Sequence, residues 1–196
     1  MTTVQSIGSL QRSLTAHLWI QRCQKLAQGR FWPILLTTAG CLGNVSYTCT
    51  LPFVCVGIIT GTTLTRQKAV VSTLLIWLAN QVFGYTLHQY PRTLDCFAWG
   101  LVLGVATLLV SLGSSYRPLF TPSNLRGNYL WILFLTTVGF LGFQGLLLLA
   151  GLFLESHSMT LAIYRDLWLS NLLWTGGILA IHALLIFFLQ EQSYRA

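Results

Sequence analysis

A chain of 196 residues that is 54% hydrophobic, 13% aromatic and only 8% charged lies far from the roughly 25% of charged residues usual in soluble domains. The length allows one domain, and the composition excludes an ordinary soluble one. The net charge of +7 comes in small basic groups between apolar runs, so it reads as flanking charge that orients membrane spans, and no basic stripe follows nucleic-acid phosphates.

Residues 1–30 carry Val4, Ile7, Leu10, Leu14 and Leu18 at spacings of three and four, with Gln11, Arg12, Gln21, Arg22 and Lys25 mostly between them. This pattern predicts a basic amphipathic helix in the inner membrane interface, where an acidic leaflet attracts its charges. Trp19 and Trp32 suit the headgroup boundary. A poorly ordered basic tail is the alternative. The segment is too polar for the apolar core of a cleavable leader, so none is expected.

Residues 31–61 are too many for one span of about 20 residues and barely enough for two. The stretch from Gly43 to Pro52 combines Gly, Asn, Ser and Pro, and it breaks the run into segments at 31–47 and 50–64. Further segments are expected at 69–86, 95–112, 128–152 and 167–189, with a tail at 190–196. The expected fold is an all-α, polytopic integral membrane helix bundle of six membrane segments.

Lysine and arginine positions test the break. If residues 31–64 go in and return, one side holds Arg12, Arg22, Lys25, Arg30, Arg66, Lys68, Arg117, Arg126 and Arg195, and the other only Arg92 and Arg165. That is nine against two, whereas a single crossing leaves six against five. The bias favours the hairpin and places both termini in the cytoplasm. It does not separate two short, tilted spans from a re-entrant loop, since both return the chain to the same side. The connection from Gly113 to Asn128, with Pro118, Pro122 and Gly127, divides four segments from two.

Cys23, Cys41, Cys49, Cys55 and Cys96 include no C-x-x-C pair and read as free, mostly buried thiols, with a Cys49–Cys96 bridge as the alternative. His17, His88, His157 and His182 are scattered, without metal-ligand spacing. His182 reads as a packing residue or, alternatively, as a proton relay. No acidic residue sits deep in a span, which disfavours proton coupling within this chain. A G-x-x-x-x-G-K-[ST] loop is absent, as are nucleophile patterns with a paired base. Neither an enzyme nor a bound cofactor is expected. Arg92, in Tyr90-Pro91-Arg92-Thr93, reads as an ordinary loop arginine or as a contact for an anionic ligand group.

The candidate ligand site is built around Trp77-Leu78-Ala79-Asn80-Gln81-Val82-Phe83-Gly84-Tyr85, where two adjacent amides interrupt an apolar segment. With the expected sidedness, Asn44, Asn80, Gln81, Gln144 and Asn171 fall at one depth in the outer half of the membrane. Trp77, Tyr85, Trp99 and Trp174 add aromatic surface near that level. A few fixed polar groups in an aromatic surround suit a small-molecule pocket. The competing expectation is that the amides only hydrogen-bond between helices.

Ala39 with Gly43, and Gly100 with Gly104, place small residues four apart, a spacing that lets helices approach closely. With six segments, a basic N-terminus, an outward pocket and the small-residue stretch Ala39-Gly40-Cys41-Leu42-Gly43, the chain resembles the substrate-binding S components of energy-coupling factor vitamin transporters. The resemblance is architectural and spans residues 31–189. It implies a vitamin-like or cofactor-precursor ligand, docking of a transmembrane coupling subunit at Ala39 and Gly43, ATP hydrolysis by separate subunits and a bacterial plasma membrane location. The Gly/Pro-broken hairpin departs from that family's full-length spans. The functional expectation is a membrane-embedded binding or uptake subunit for a small, largely neutral ligand, and the alternative is a non-catalytic scaffold or assembly factor.

Overall fold

A computed structural model describes residues 18–46, 52–116, 125–154 and 161–195. Among them lie seven helices and no strand: α1 (residues 18–28), α2 (Phe31–Ser46), α3 (Phe53–Thr63), α4 (Arg66–Thr86), α5 (Leu94–Ser114), α6 (Leu125–Phe153) and α7 (Leu161–Arg195). Val4, Ile7, Leu10, Leu14 and Cys49 lie outside the described residues. Cys23, Cys41, Cys55 and Cys96 are free thiols.

Helices α4, α5, α6 and α7 are each long and apolar enough to cross a membrane, and α2 and α3 are shorter apolar helices. Their outer faces confirm the solvent. Leu74, Leu78 and Val82 on α4, Leu101, Val105 and Leu109 on α5, and Leu130, Phe134, Val138 and Leu141 on α6 form exposed apolar stripes at helical spacing. Such continuous apolar surface is untenable in water and natural against lipid. The protein is an integral membrane helix bundle.

The bundle is arranged around its shortest helix. α3 has 11 residues, nine of them buried, and it packs against α4, α5, α6 and α7 while also touching α2. At 1.5 Å per residue it is about 16 Å long, roughly half of the ~30 Å hydrocarbon thickness. Enclosure by protein makes that length tolerable, because no backbone end is left to lipid.

Contacts between helix ends fix directions. Trp32 at the start of α2 donates its indole N–H to Thr63 at the end of α3, 2.9 Å away, so α2 and α3 run antiparallel. Asn44 reaches Ile76 and Asn80 while Lys68 reaches the residues preceding α2, so α2 and α4 run parallel. Thr73 meets Ser111 and Trp77 meets Gly100, which makes α4 and α5 antiparallel.

Small residues permit the tightest crossing. Gly57 and Gly61 of α3 face α5, where a Cβ on Gly57 would lie 2.9 Å from Val110 and 3.0 Å from the Thr107 carbonyl, and one on Gly61 would overlap the Ser111 carbonyl and the Ser114 hydroxyl. Gly100 and Gly104 serve a different purpose from backbone contact: they seat the side chains of Gln81 and Trp77 from α4.

The amphipathic α1 lies against the bundle through Ile20, Cys23, Leu26 and Ala27, while Leu18 is exposed. The carbonyls of Ala27 and Gln28 at its end, and of Gly29 just beyond, accept from the Lys68 ammonium, a cation at the negative end of a helix. α7 continues as helix past the expected limit at residue 189 to Arg195. Hydropathy marks only the apolar part of a helix, and backbone hydrogen bonding carries it further.

Candidate functional site

Three of the five expected amides meet. Asn80 on α4 donates its amide N–H to the Asn44 side-chain oxygen at 2.8 Å, and Gln81 donates to the Asn80 oxygen at 3.3 Å. Asn44 in turn donates to the carbonyls of Gly40 and Ile76 at 3.0 and 3.2 Å. His88 lies 3.0 Å from the Asn44 carbonyl, which ties the α4–α5 turn to the end of α2. Asn44 and Asn80 are buried, and these bonds give their side-chain amides partners that hydrocarbon would not supply. Trp77 extends the seam to α5 by donating to the Gly100 carbonyl at 2.7 Å.

The remaining expected residues are dispersed. Asn171, buried on α7, accepts from the backbone N–H of Cys55 at 2.9 Å. It thereby caps α3, whose N-cap Pro52 has no side-chain hydrogen bond to offer. Tyr85 stacks on Phe97 with centroids 4.8 Å apart and meets Tyr90 edge-on, in an aromatic cluster at the α4–α5 turn. Gln144 is buried on α6, and Trp99 is half-buried on α5. Trp174 is 41% exposed on α7.

Trp174 instead lines a different feature, together with both expected docking residues. A cavity of about 220 Å³ runs between α2 and α7 with α3 as its floor. Ala39, Gly40 and Gly43 form its α2 wall, Trp174, Ile178 and Ile181 its α7 wall, and Cys55, Ile59 and Thr60 its base. Trp32 and Ile76 close the inner side. The floor is buried, whereas Ala39, Trp174 and Ile181 are exposed, so the slot opens sideways between the helices. The lining includes no charged side chain.

The slot exists because α2 and α7 both pack on α3 without packing along each other. They approach where Trp32 meets His182, with ring centroids 5.0 Å apart and tilted by 54°. Gly40 also brings α2 close to α4, since a Cβ there would sit 2.6 Å from the Ile76 side chain, which would have to shift. The amide seam therefore stands directly behind the slot's α2 wall: Asn44 adjoins Gly43 and bonds to the Gly40 carbonyl.

Beneath the slot, a hydroxyl triangle joins α3, α4 and α5. Thr60 lies 3.0 Å from Thr73 and 3.2 Å from Ser111, and Thr73 lies 3.3 Å from Ser111. Its members and the Gly57-x-x-x-Gly61 pair are structural residues that the reading by amides passes over, although the glycine spacing is a visible signal for close helix approach. Among the described residues no group of three or more His, Cys, Asp or Glu gathers to hold a metal ion. No protein-family model, curated protein or solved structure matches the chain.

Proposed function

We propose that the protein is a membrane-embedded binding subunit that takes a small, largely neutral, vitamin-like or cofactor-precursor ligand into the slot between α2 and α7. The slot carries this reading. It combines two tryptophans and aliphatic side chains with no charge, as a neutral ligand requires. The amides then act indirectly. Asn44, Asn80 and Gln81 brace the α2 wall, and Asn171 fixes the floor by capping α3.

In this proposal the chain has six membrane segments with both termini in the cytoplasm of a bacterial cell, following the nine-to-two division of basic residues. Uptake is energised by a transmembrane coupling subunit and separate ATPase subunits. Ala39 and Gly43 lie on the rim of the slot, so a coupling helix docked on them would cover its mouth.

The alternative, a non-catalytic scaffold or assembly factor, draws on the mutual satisfaction of the amide seam, which is what interhelical packing alone would produce. Thermal unfolding of the detergent-purified chain against a panel of neutral vitamins and cofactor precursors separates the two. Binding predicts a saturable stabilisation by one compound that Ala39→Trp, which obstructs the slot, removes. Absence of any such shift, with co-purification in a stable complex lacking an ATPase, would support the scaffold.

A further inference from the structure

A second groove, on the other side of α2, has a different chemistry. It lies between the N-terminal halves of α2 and α4, with a volume of about 410 Å³, and changes character along its length. Arg30, Gln67 and Lys68 stand at one end, and Pro33, Ile34, Val71 and Leu75 continue into the apolar belt. Ile34, Val71 and Leu75 are exposed, so this wall faces lipid.

Among the described residues, no acidic side chain compensates the charged end. Arg30 is exposed, and the ion pair present among the described residues joins Arg165 to Asp166 instead. Asp95, in the first turn of α5, and Asp166, near the start of α7, lie toward the opposite end of the bundle. Lys68 is held in place by carbonyls at and just beyond the end of α1, which orients its positive charge at the head of the groove. Arg66, at the same level, is engaged differently, 5.5 Å over the Tyr116 ring.

We infer that this groove is a binding site for one anionic phospholipid, whose phosphate meets Arg30 and Gln67 in the field of Lys68 while an acyl chain lies along Ile34, Val71 and Leu75. Charge complementarity selects the headgroup, and the apolar continuation selects a lipid over a free anion. The site is separate from the slot between α2 and α7 and holds whether or not that slot binds a ligand.

The test is thermal unfolding of the detergent-purified full chain titrated with phosphatidylglycerol, with phosphatidylcholine of identical chains, or with inorganic phosphate. Phosphatidylglycerol is expected to stabilise saturably, and the other two are not. Arg30→Gln should weaken the apparent affinity about tenfold, the effect of losing one charge-assisted bond. Val71→Trp, at an exposed position that obstructs the apolar half, should remove the stabilisation, and Arg66→Gln should leave it intact. Equal stabilisation by phosphatidylcholine or by phosphate alone, or wild-type titration of Arg30→Gln, would overturn the inference.

Discussion

Asn80 shows how a conspicuous residue acquires its meaning from its neighbours. Two adjacent amides in an apolar helix announce a polar demand, but their sequence positions do not say whether a ligand or another helix meets it. The partner of Asn80 is Asn44, 36 positions away. The cap on α3 is supplied by Asn171, 116 positions from Cys55. Such pairings arise from packing, which is why the amides were legible in the sequence and their bonds were not. Asn80→Leu should destabilise the bundle by about 0.6–1.7 kcal/mol, the range of interhelical bonds in membranes. Chemical unfolding in micelles measures this, and a double-mutant cycle with Asn44→Leu should show coupling between the two.

Cys23 on α1 gives a pH prediction at the same scale. Burial pushes its thiol from 9.0 up to about 12, so the folded state favours the neutral form. Its contribution is fully present below pH 9 and is lost as pH rises from there through about 12. Alkaline unfolding should therefore be shallower in Cys23→Ala than in the wild type over that interval, as followed by circular dichroism. Equal slopes would show that the thiol does not carry the transition.

At the scale of elements, α3 is the informative case. Its sequence, Phe-Val-Cys-Val-Gly-Ile-Ile-Thr-Gly-Thr-Thr, carries no charged or amide side chain on any side, and such a helix suits a lipid face and a protein core equally well. Basic residues around it revealed that the chain reverses, and the antiparallel α2–α3 pairing accords with that. Its central position emerges only from the five helices that surround it. Gly61 is the point at which this packing is most vulnerable. Gly61→Val should cost about 1–3 kcal/mol by overpacking against α5, whereas Gly113→Ala, where a Cβ meets nothing within 4 Å, should be neutral or slightly stabilising. Parallel melting curves of the two variants check the contrast.

For the whole molecule, the proposed sidedness places the α4–α5 turn outside and the start of α4 inside. Cysteine introduced at Gln89 should react with an impermeant maleimide in intact cells, and cysteine at Gln67 only after permeabilisation, with the native cysteines replaced in both. The reverse pattern would invert the topology. The slot depends on this larger scale most of all. It is bounded by two helices distant in the chain, and neither contains the motif of a binding site. Ala39 and Gly43, four apart on α2, bound that open space together with Trp174.

The most direct measurement is a comparison of two variants for any compound that stabilises the wild type: Asn80→Leu with Gln81→Leu, and Ala39→Trp. Binding in the slot predicts that the amide pair lowers the melting temperature of the unliganded protein but retains most of the ligand affinity, while Ala39→Trp keeps its fold and loses affinity by at least tenfold. Loss of affinity in the amide variant with full binding in Ala39→Trp would contradict the account and return the ligand to Asn80 and Gln81.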